Sequence, residues 1–272
     1  MSGFTQRVLT AIVFVAVMVG GVYLHPISHV LLFFLITVFC LWEYFDLTLP
    51  SEVTNRKWIG IGVGLLPILL TSNLVANQFP LTLGNTILIL LVAIASIFLY
   101  ELFNQSEKPY SNIGIVILGL FYIGIPLALI PLITFNNEAF QPNIIFGLLL
   151  LTWANDTGAY LIGSQIGRTK LFPRISPKKT WEGSLGGVVV TFIAGYLLSR
   201  IFQDLPLSDW LFLAGIVSIF GSLGDLVESM LKRSLQIKDS GNLLPGHGGF
   251  LDRFDAFIFL LPFAAAYLLW NT

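Results

Sequence analysis

The sequence predicts an all-α integral membrane protein with about nine transmembrane helices. Hydrophobic residues occupy 56% of its 272 positions and charged residues only 11%, whereas soluble domains carry about 25% charged residues. The hydrophobic residues also occur in long runs rather than at helical or strand periods. Runs of about 18 or more apolar residues are typical of helices that cross a bilayer.

Nine apolar runs can serve as these helices. With ends defined to within several residues, they cover roughly 8–24, 28–46, 58–76, 81–103, 112–134, 143–163, 183–202, 209–231 and 251–270. The first run follows Arg7, as the core of a signal peptide would, but it is too long for one and lacks a clean small-residue cleavage site. We therefore assign it as the first transmembrane helix.

The basic residues predict the orientation of the chain. With nine spans, Arg200 lies alone on one side, and the other 13 of the 14 Lys and Arg residues lie on the opposite side. Lys and Arg next to spans prefer the cytoplasm. This asymmetry therefore predicts a cytoplasmic N-terminus and a C-terminus outside.

Net charge and cysteine content limit the classes of site. The net charge of −1 indicates no particular partner. The lone Cys40 lies inside an apolar run, which excludes a disulfide framework and a thiolate metal cluster.

The lengths of the connections divide the chain into two halves. Connections before about residue 140 are short or weakly polar, and the two long cytoplasmic loops, 164–182 and 232–250, both follow it. We therefore predict an N-terminal transmembrane scaffold over residues 1–140. Residues 141–272 are predicted to form the catalytic region, with helices six to nine.

Helix eight carries polar residues on one face. Asp225, Glu228, Ser229 and Lys232 are spaced i, i+3, i+4 and i+7, so they lie on the same side of the helix. A carboxylate inside a span is expensive and is a functional candidate by default. An ion pair, for example between Asp225 and Lys232, is the structural alternative, and for Glu228 the two interpretations are balanced.

Helix nine begins with DRFD, which places Asp252 and Asp255 on one face of its first turn. The helix dipole alone favours acidic residues there, but two carboxylates this close repel each other unless a cation lies between them. Together with Asp225 they would form an all-oxygen site, which suits Mg²⁺ better than Zn²⁺.

The loop before helix nine contains PGHGG, residues 245–249. A glycine-rich turn ahead of a helix exposes backbone N–H groups that bind phosphate, so His247, Gly248 and Gly249 are candidates for substrate binding. Four basic residues add positive charge: Lys232, Arg233, Lys238 and Arg253. Positive-inside topology explains basic residues in general, but not the histidine and glycines beside two aspartates.

The other long loop repeats this combination of residues. It reads SPKKTWEGS, and its Ser176, Lys178 and Lys179 are candidates for binding a polyphosphate. Helix six contributes Asn155 and Asp156 within an otherwise apolar segment. For these two residues, hydrogen bonding between packed helices is an equally weighted alternative. No Walker A or Rossmann glycine pattern occurs in the sequence.

At these residues the sequence resembles phosphatidate cytidylyltransferases, also called CDP-diacylglycerol synthases. The positions that match the signature of that family are Ser229, Lys232-Arg233, Lys238-Asp239, Gly241, Pro245, His247-Gly248-Gly249, Asp252-Arg253 and Asp255. The segments SPKKTWEG and NDTGAY are similar to the family as well, so the likeness covers residues 150–270. The first half resembles the family only in length and hydrophobicity.

The resemblance implies that CTP and phosphatidate react to give CDP-diacylglycerol and pyrophosphate, with Mg²⁺ required and with room for K⁺ beside it. By position, the metal-binding aspartates of the family correspond to Asp225, Asp252 and Asp255. The phosphate-holding groups expected from their charge are Lys232, Arg233 and Arg253, with Ser229 and Lys238 as further substrate contacts. Asp255 could instead orient Arg253.

The resemblance also implies partners and a location. It indicates a homodimer in the inner membrane of a cell, with its active site open to the cytoplasm and no nucleic-acid partner. The short chain, without a long soluble extension, is typical of a bacterial protein.

Two other function classes remain open from the residues alone. A CTP-dependent lipid kinase would release CDP instead of pyrophosphate. A transporter or channel could use Asp225, Asp156 and the pair Glu43 and Asp46 as a cation path. Clustering of the polar residues on one side of the membrane favours an enzyme, and the DGxxAR motif of CDP-alcohol phosphotransferases does not occur.

Overall fold

The computed structural model describes residues 3–49, 54–76, 81–136, 139–241, 243 and 248–270. Most of these residues are helical. In chain order the helices are α1 (Gly3–Tyr23), α2 (Pro26–Thr48), α3 (Thr54–Ala76), α4 (Leu83–Phe103), α5 (Pro109–Thr134), α6 (Pro142–Ile166), α7 (Trp181–Ile201), α8 (Leu207–Ser234) and α9 (Leu251–Trp270).

The helices confirm an all-α, multi-pass membrane protein. Eight of them, α2 to α9, are long and apolar enough to cross a membrane within the described ranges, and α1 adds a shorter apolar segment, Val8–Tyr23. Two of the long helices contain a five-residue π-helical segment, Leu120–Gly124 in α5 and Val217–Gly221 in α8. The predicted directions of the two termini stay predictions.

Two short pairs of strands accompany the helices, and the second pair is antiparallel. Strands β1 (Phe135–Asn136) and β2 (Ala139–Phe140) form one pair. Strands β3 (Lys170–Phe172) and β4 (Ser176–Thr180) form the other, with Lys170 opposite Thr180 and Phe172 opposite Ser176. The second pair is a hairpin within the long loop 164–182, for which the sequence indicated no strands.

The chain forms two compact units. The first comprises Met1–Ala139 and Ser240–Leu251, and the second comprises Phe140–Asp239 and Asp252–Thr272. The predicted functional division into a scaffold and a catalytic half stays a prediction.

In the first unit, helix α3 packs against α2 and α5. Gly64 and Gly124 allow a close approach of α3 and α5, because a Cβ at Gly124 would overlap with the backbone oxygen of Gly64. A buried ion pair between Arg56 and Glu101 joins α3 to α4. Lys57 bonds Asp46 at 2.5 Å and lies over the ring of Trp42.

In the second unit, α6 and α7 form the most extensive helix pair. Small residues bring their backbones together: a Cβ at Gly183 would lie 2.9 Å from the carbonyl oxygen of Ala159, and one at Gly187 would lie 2.9 Å from that of Asn155. Close packing through small residues is typical of membrane helices. This contact fixes α6 next to the hairpin that leads into α7.

Candidate active site

A cavity of about 410 Å³ with several polar and charged residues in its lining lies in the second unit. Helices α6, α7 and α8 and strand β4 supply its lining. Among the lining residues are Asn155, Asp156, Lys178, Lys179, Ser222 and Asp225. The structure therefore brings together predicted residues of helix six, the SPKKTWEGS loop and helix eight.

Asp225 forms the first ion pair of this site. Lys179 Nζ lies 2.8 Å from Asp225 Oδ2, and the Ser229 hydroxyl donates to Asp225 Oδ1 at 3.3 Å. The cation beside Asp225 thus comes from the hairpin rather than from Lys232 on the same helix. Lys179 Nζ also lies 3.4 Å from the carbonyl oxygen of Ser222.

Lys232 bonds two carboxylates from different helices. Its Nζ lies 2.5 Å from Glu228 Oε2 and 2.5 Å from Asp252 Oδ1. The side chain of Glu228 is 1% exposed, and its Oε1 accepts no hydrogen bond from any residue that the structure describes. Glu228, balanced between two interpretations on sequence, therefore belongs to the acidic cluster.

Asp255 and Asp156 extend this cluster. Asp255 is buried, and its Oδ1 accepts the backbone N–H of Ala256 at 2.7 Å. Its carboxyl interacts electrostatically with Glu228, Asp225 and Asp156. Five carboxylates thus share one region, and Asp156 also interacts with Lys179 and Arg253.

The candidate ligand atoms are of the chemical type that a hard cation prefers. All candidate ligands are carboxylate oxygens, which Mg²⁺ prefers, and the buried Oε1 of Glu228 lacks a donor among the described residues. In the described ranges, however, no three acidic, histidine or cysteine side chains converge as a formed metal site. Asp225 and Asp252 instead bond lysine ammonium groups. The metal assignment of Asp225, Asp252 and Asp255 stays a prediction.

Arg233 makes backbone contacts. Its Nε donates to the carbonyl oxygen of Ile175 at 3.3 Å, and its Nη1 donates to that of Ile237 at 3.0 Å. The guanidinium therefore ties helix α8 to the hairpin and to the chain that follows α8. Its predicted contact with a substrate phosphate stays a prediction, as does that of the exposed Lys238.

The candidates in the hairpin and helix α6 have different positions. Lys178 is exposed and lines the cavity, whereas Ser176 belongs to β4 opposite Phe172 and is absent from the cavity lining. Asn155 is buried and donates to Ser222 Oγ at 3.2 Å, which matches the alternative of hydrogen-bonded helix packing.

Glu182 is a residue that the sequence analysis did not assign to the site. Its carboxylate accepts the backbone N–H groups of Arg168 at 3.0 Å and Thr169 at 3.1 Å, where the chain enters the hairpin. Thr180 caps α7 by accepting the Gly183 N–H at 3.2 Å. An acidic residue in the first turn of a helix after a threonine cap was the available signal.

Part of the PGHGG segment lies in the first unit's described residues. Gly248 has φ = 83°, a left-handed conformation that favours glycine. A Cβ at Gly249 would overlap with Ser240 Oγ. His247 lies outside the described residues, so its predicted role in substrate binding stays untested.

Comparison with known proteins adds evidence from whole sequences. The chain matches the model of a family described as "Cytidylyltransferase family" over residues 5–270. This range extends the likeness well beyond the 150–270 that the motifs covered.

Named relatives point the same way. A phosphatidate cytidylyltransferase of Bacillus subtilis is 32% identical over 262 residues, 95% of each chain. One from Staphylococcus saprophyticus is 40% identical over 175 residues, which are 63% of this chain and 65% of the relative. One from Staphylococcus aureus strain COL is 39% identical over the same share of both chains.

Proposed function

The chain belongs to the cytidylyltransferase family, and from this premise we propose that it transfers the cytidylyl group of CTP to phosphatidate. The products are CDP-diacylglycerol and pyrophosphate. The observation that carries the proposal is the cavity in which Lys178 and Lys179 lie beside Asp156 and Asp225 within a mostly apolar protein. The names of the relatives supply phosphatidate as the acceptor and a cytidylyl group as what is transferred.

The reaction needs positioning and charge neutralisation more than acid–base chemistry. A phosphate oxygen of phosphatidate attacks the α-phosphorus of CTP, the new P–O bond forms, and the bond to the β-phosphate oxygen breaks. The electron pair leaves with pyrophosphate. Because the attacking oxygen is already ionised, no strong general base is required, and catalysis rests on orientation and electrostatic stabilisation.

Basic side chains around the acidic cluster would bind the phosphates. Lys178 and Lys179 both line the cavity and can approach a nucleotide there. Lys232 and Arg253 lie close to the carboxylates of the same unit. The two lysines that now bond Asp225 and Asp252 would have to release these carboxylates in part, so that the ammonium groups can bind phosphate oxygens and the carboxylates can bind a metal ion.

Asp225, Asp252 and Asp255 would hold Mg²⁺, with K⁺ as a second cation. When bound, Mg²⁺ neutralises negative charge on CTP and on the leaving pyrophosphate. The carboxylates of Glu228 and Asp156 lie near enough to add negative potential at that position. The chain's own contribution is to hold these acids together against their mutual repulsion.

We place the enzyme in the inner membrane of a bacterium as a homodimer with a cytoplasmic active site. CTP and pyrophosphate are soluble, while the acyl chains of phosphatidate remain in the leaflet, so the reaction requires a site at the membrane surface. Both long loops are predicted on the cytoplasmic side by the positions of the basic residues. The bacterial relatives fit this location.

The test uses purified protein in detergent with phosphatidate, Mg²⁺ and CTP labelled at either the α- or the γ-phosphate. We expect the α-label in the lipid and the γ-label in pyrophosphate. A γ-label in the lipid, with CDP released, would identify a lipid kinase instead. No product of either kind from folded protein would overturn the proposal and favour the transporter hypothesis.

A further inference from the structure

Glu43 is a buried acidic residue to which the proposed reaction gives no role. It lies in α2, whose only charged residues are Glu43 and Asp46, and it is 3% exposed. Asp46 has a basic partner in Lys57. Glu43 makes its described contacts with the segment Ser240–Leu251 of the same unit.

The carboxylate of Glu43 contacts both ends of that segment. Its Oε2 accepts the backbone N–H of Leu251 at 2.8 Å and the hydroxyl of Ser240 at 3.3 Å. Leu251 is the first residue of α9, and the first N–H groups of a helix have no partner within the helix. The helix dipole also favours a negative charge at this end.

Two glycines of the segment leave room for this carboxylate. A Cβ at Gly241 would lie 2.5 Å from Glu43 Oε1, and the other atoms nearest to it also belong to Glu43. A Cβ at Gly249 would lie 2.5 Å from Glu43 Oε2. The backbone therefore lies directly against the carboxylate at both glycines.

An aromatic contact supports the same attachment. Phe39 lies one helical turn before Glu43, and its ring stacks on that of Phe250 with centroids 4.7 Å apart. Residues four apart share a face of a helix. Helix α2 thus contacts Phe250 through the ring of Phe39 and the first residue of α9 through the carboxylate of Glu43.

We propose that Glu43 is a positioning residue that fixes the start of α9; this role rests on the proposed function. Asp252 and Arg253 follow Leu251 by one and two residues in the same helix. A fixed Leu251 N–H therefore limits how far the first turn of α9 can rotate about the helix axis or slide along it, and these two side chains move with that turn. Small displacements of catalytic groups cost large factors in rate.

The first experiment measures the segment itself by limited trypsin digestion in detergent. Trypsin can cut after the exposed Lys238, just before the segment, and after the exposed Lys170 in the β3–β4 hairpin, which is the internal control. We expect Glu43→Ala to accelerate cleavage after Lys238 by about tenfold and cleavage after Lys170 by less than about twofold. Glu43→Gln, which keeps an acceptor oxygen, should stay close to wild type.

A double-mutant cycle then tests the contact from both sides. Gly241→Ala should accelerate cleavage after Lys238 in the wild-type background, because the new Cβ meets the carboxylate. In the Glu43→Ala background the same change should add less than about twofold. Equal effects in both backgrounds, or unchanged cleavage in Glu43→Ala, would overturn the proposal. Gly241→Ala keeps Glu43 and remains informative should Glu43→Ala fail to fold.

Kinetics separate positioning from general stability. We expect Glu43→Ala to lower kcat by about tenfold or more while KM for CTP changes by less than about threefold. Asp46→Ala is the matched control on the same helix, expected to lower Tm with little change in kcat. If kcat falls in both variants in proportion to the decrease in Tm, the positioning role is overturned. Wild-type protein without activity would refute the proposed function, while the digestion result would still decide whether Glu43 holds the segment.

Discussion

The ammonium group of Lys179 lies 2.8 Å from Asp225 Oδ2 and joins the β3–β4 hairpin to helix α8. Lys178, one residue earlier, is exposed and faces the same cavity. Two adjacent lysines thus have different surroundings, because one already balances a carboxylate. The more exposed lysine is the better placed to meet an incoming phosphate.

Replacing Lys178 should weaken substrate binding. We expect Lys178→Ala to raise KM for CTP or phosphatidate by about tenfold and to change kcat by less than about threefold, since a side chain that holds substrate equally in ground and transition states affects mainly KM. Steady-state kinetics in mixed micelles measure this. Lys170→Ala, on the same hairpin, is the control. Unchanged kinetics in Lys178→Ala would mean that this lysine contributes only to the orientation of the chain in the membrane.

Removing the charge of Asp252 should abolish turnover in folded protein. We expect Asp252→Asn to retain less than about a tenth of wild-type activity, because a candidate metal ligand and the partner of Lys232 are lost together. Asp209→Asn, an acidic residue of α8 that bonds Tyr267, is the matched control. Activity above a tenth in Asp252→Asn would argue against the metal-ligand role.

Removing Lys232 should destabilise the second unit. Lys232→Ala leaves the buried Glu228 and the partly buried Asp252 without their shared cation, and breaking a buried pair such as that of Glu228 costs about 3–5 kcal/mol. Thermal unfolding in detergent should show a lower Tm. Glu228→Gln added to this variant should restore part of the lost Tm but not the activity. A Tm equal to that of the wild type in Lys232→Ala would refute the stabilising role of Lys232.

Removal of divalent cations should stop the reaction reversibly. EDTA is expected to abolish CDP-diacylglycerol formation, and added Mg²⁺ should restore it. Asp225→Asn should raise the Mg²⁺ concentration that gives half-maximal activity by about tenfold or more, because one anionic ligand is lost. An unchanged Mg²⁺ requirement in this variant would exclude Asp225 as a ligand.

Hydrophobic patterning was sufficient to predict the helices. The predicted spans 209–231 and 251–270 correspond to Leu207–Ser234 and Leu251–Trp270. Span lengths follow from bilayer thickness, which acts on every membrane helix alike. The β3–β4 hairpin was not predicted, because its strands are short and contain Pro177, and its pairing depends on contacts within a loop.

The residue types of the site were predictable, but their partners were not. Asp225 and Lys232 share a helix face, yet they are two turns apart, and the i,i+4 pair is Glu228 with Lys232. The partner of Asp225 is Lys179, 46 positions away in sequence, and no periodicity within one helix indicates such a contact. The same holds for Glu43 and Leu251.

The bond between Lys232 and Asp252 has a consequence for the two helix ends that carry them. It ties the last turns of α8 to the first turn of α9, twenty residues further along the chain, so neither helix end can move independently of the other. Side chains held in this way lose little further freedom when a ligand contacts them, and the association of that ligand should carry a correspondingly small entropic penalty.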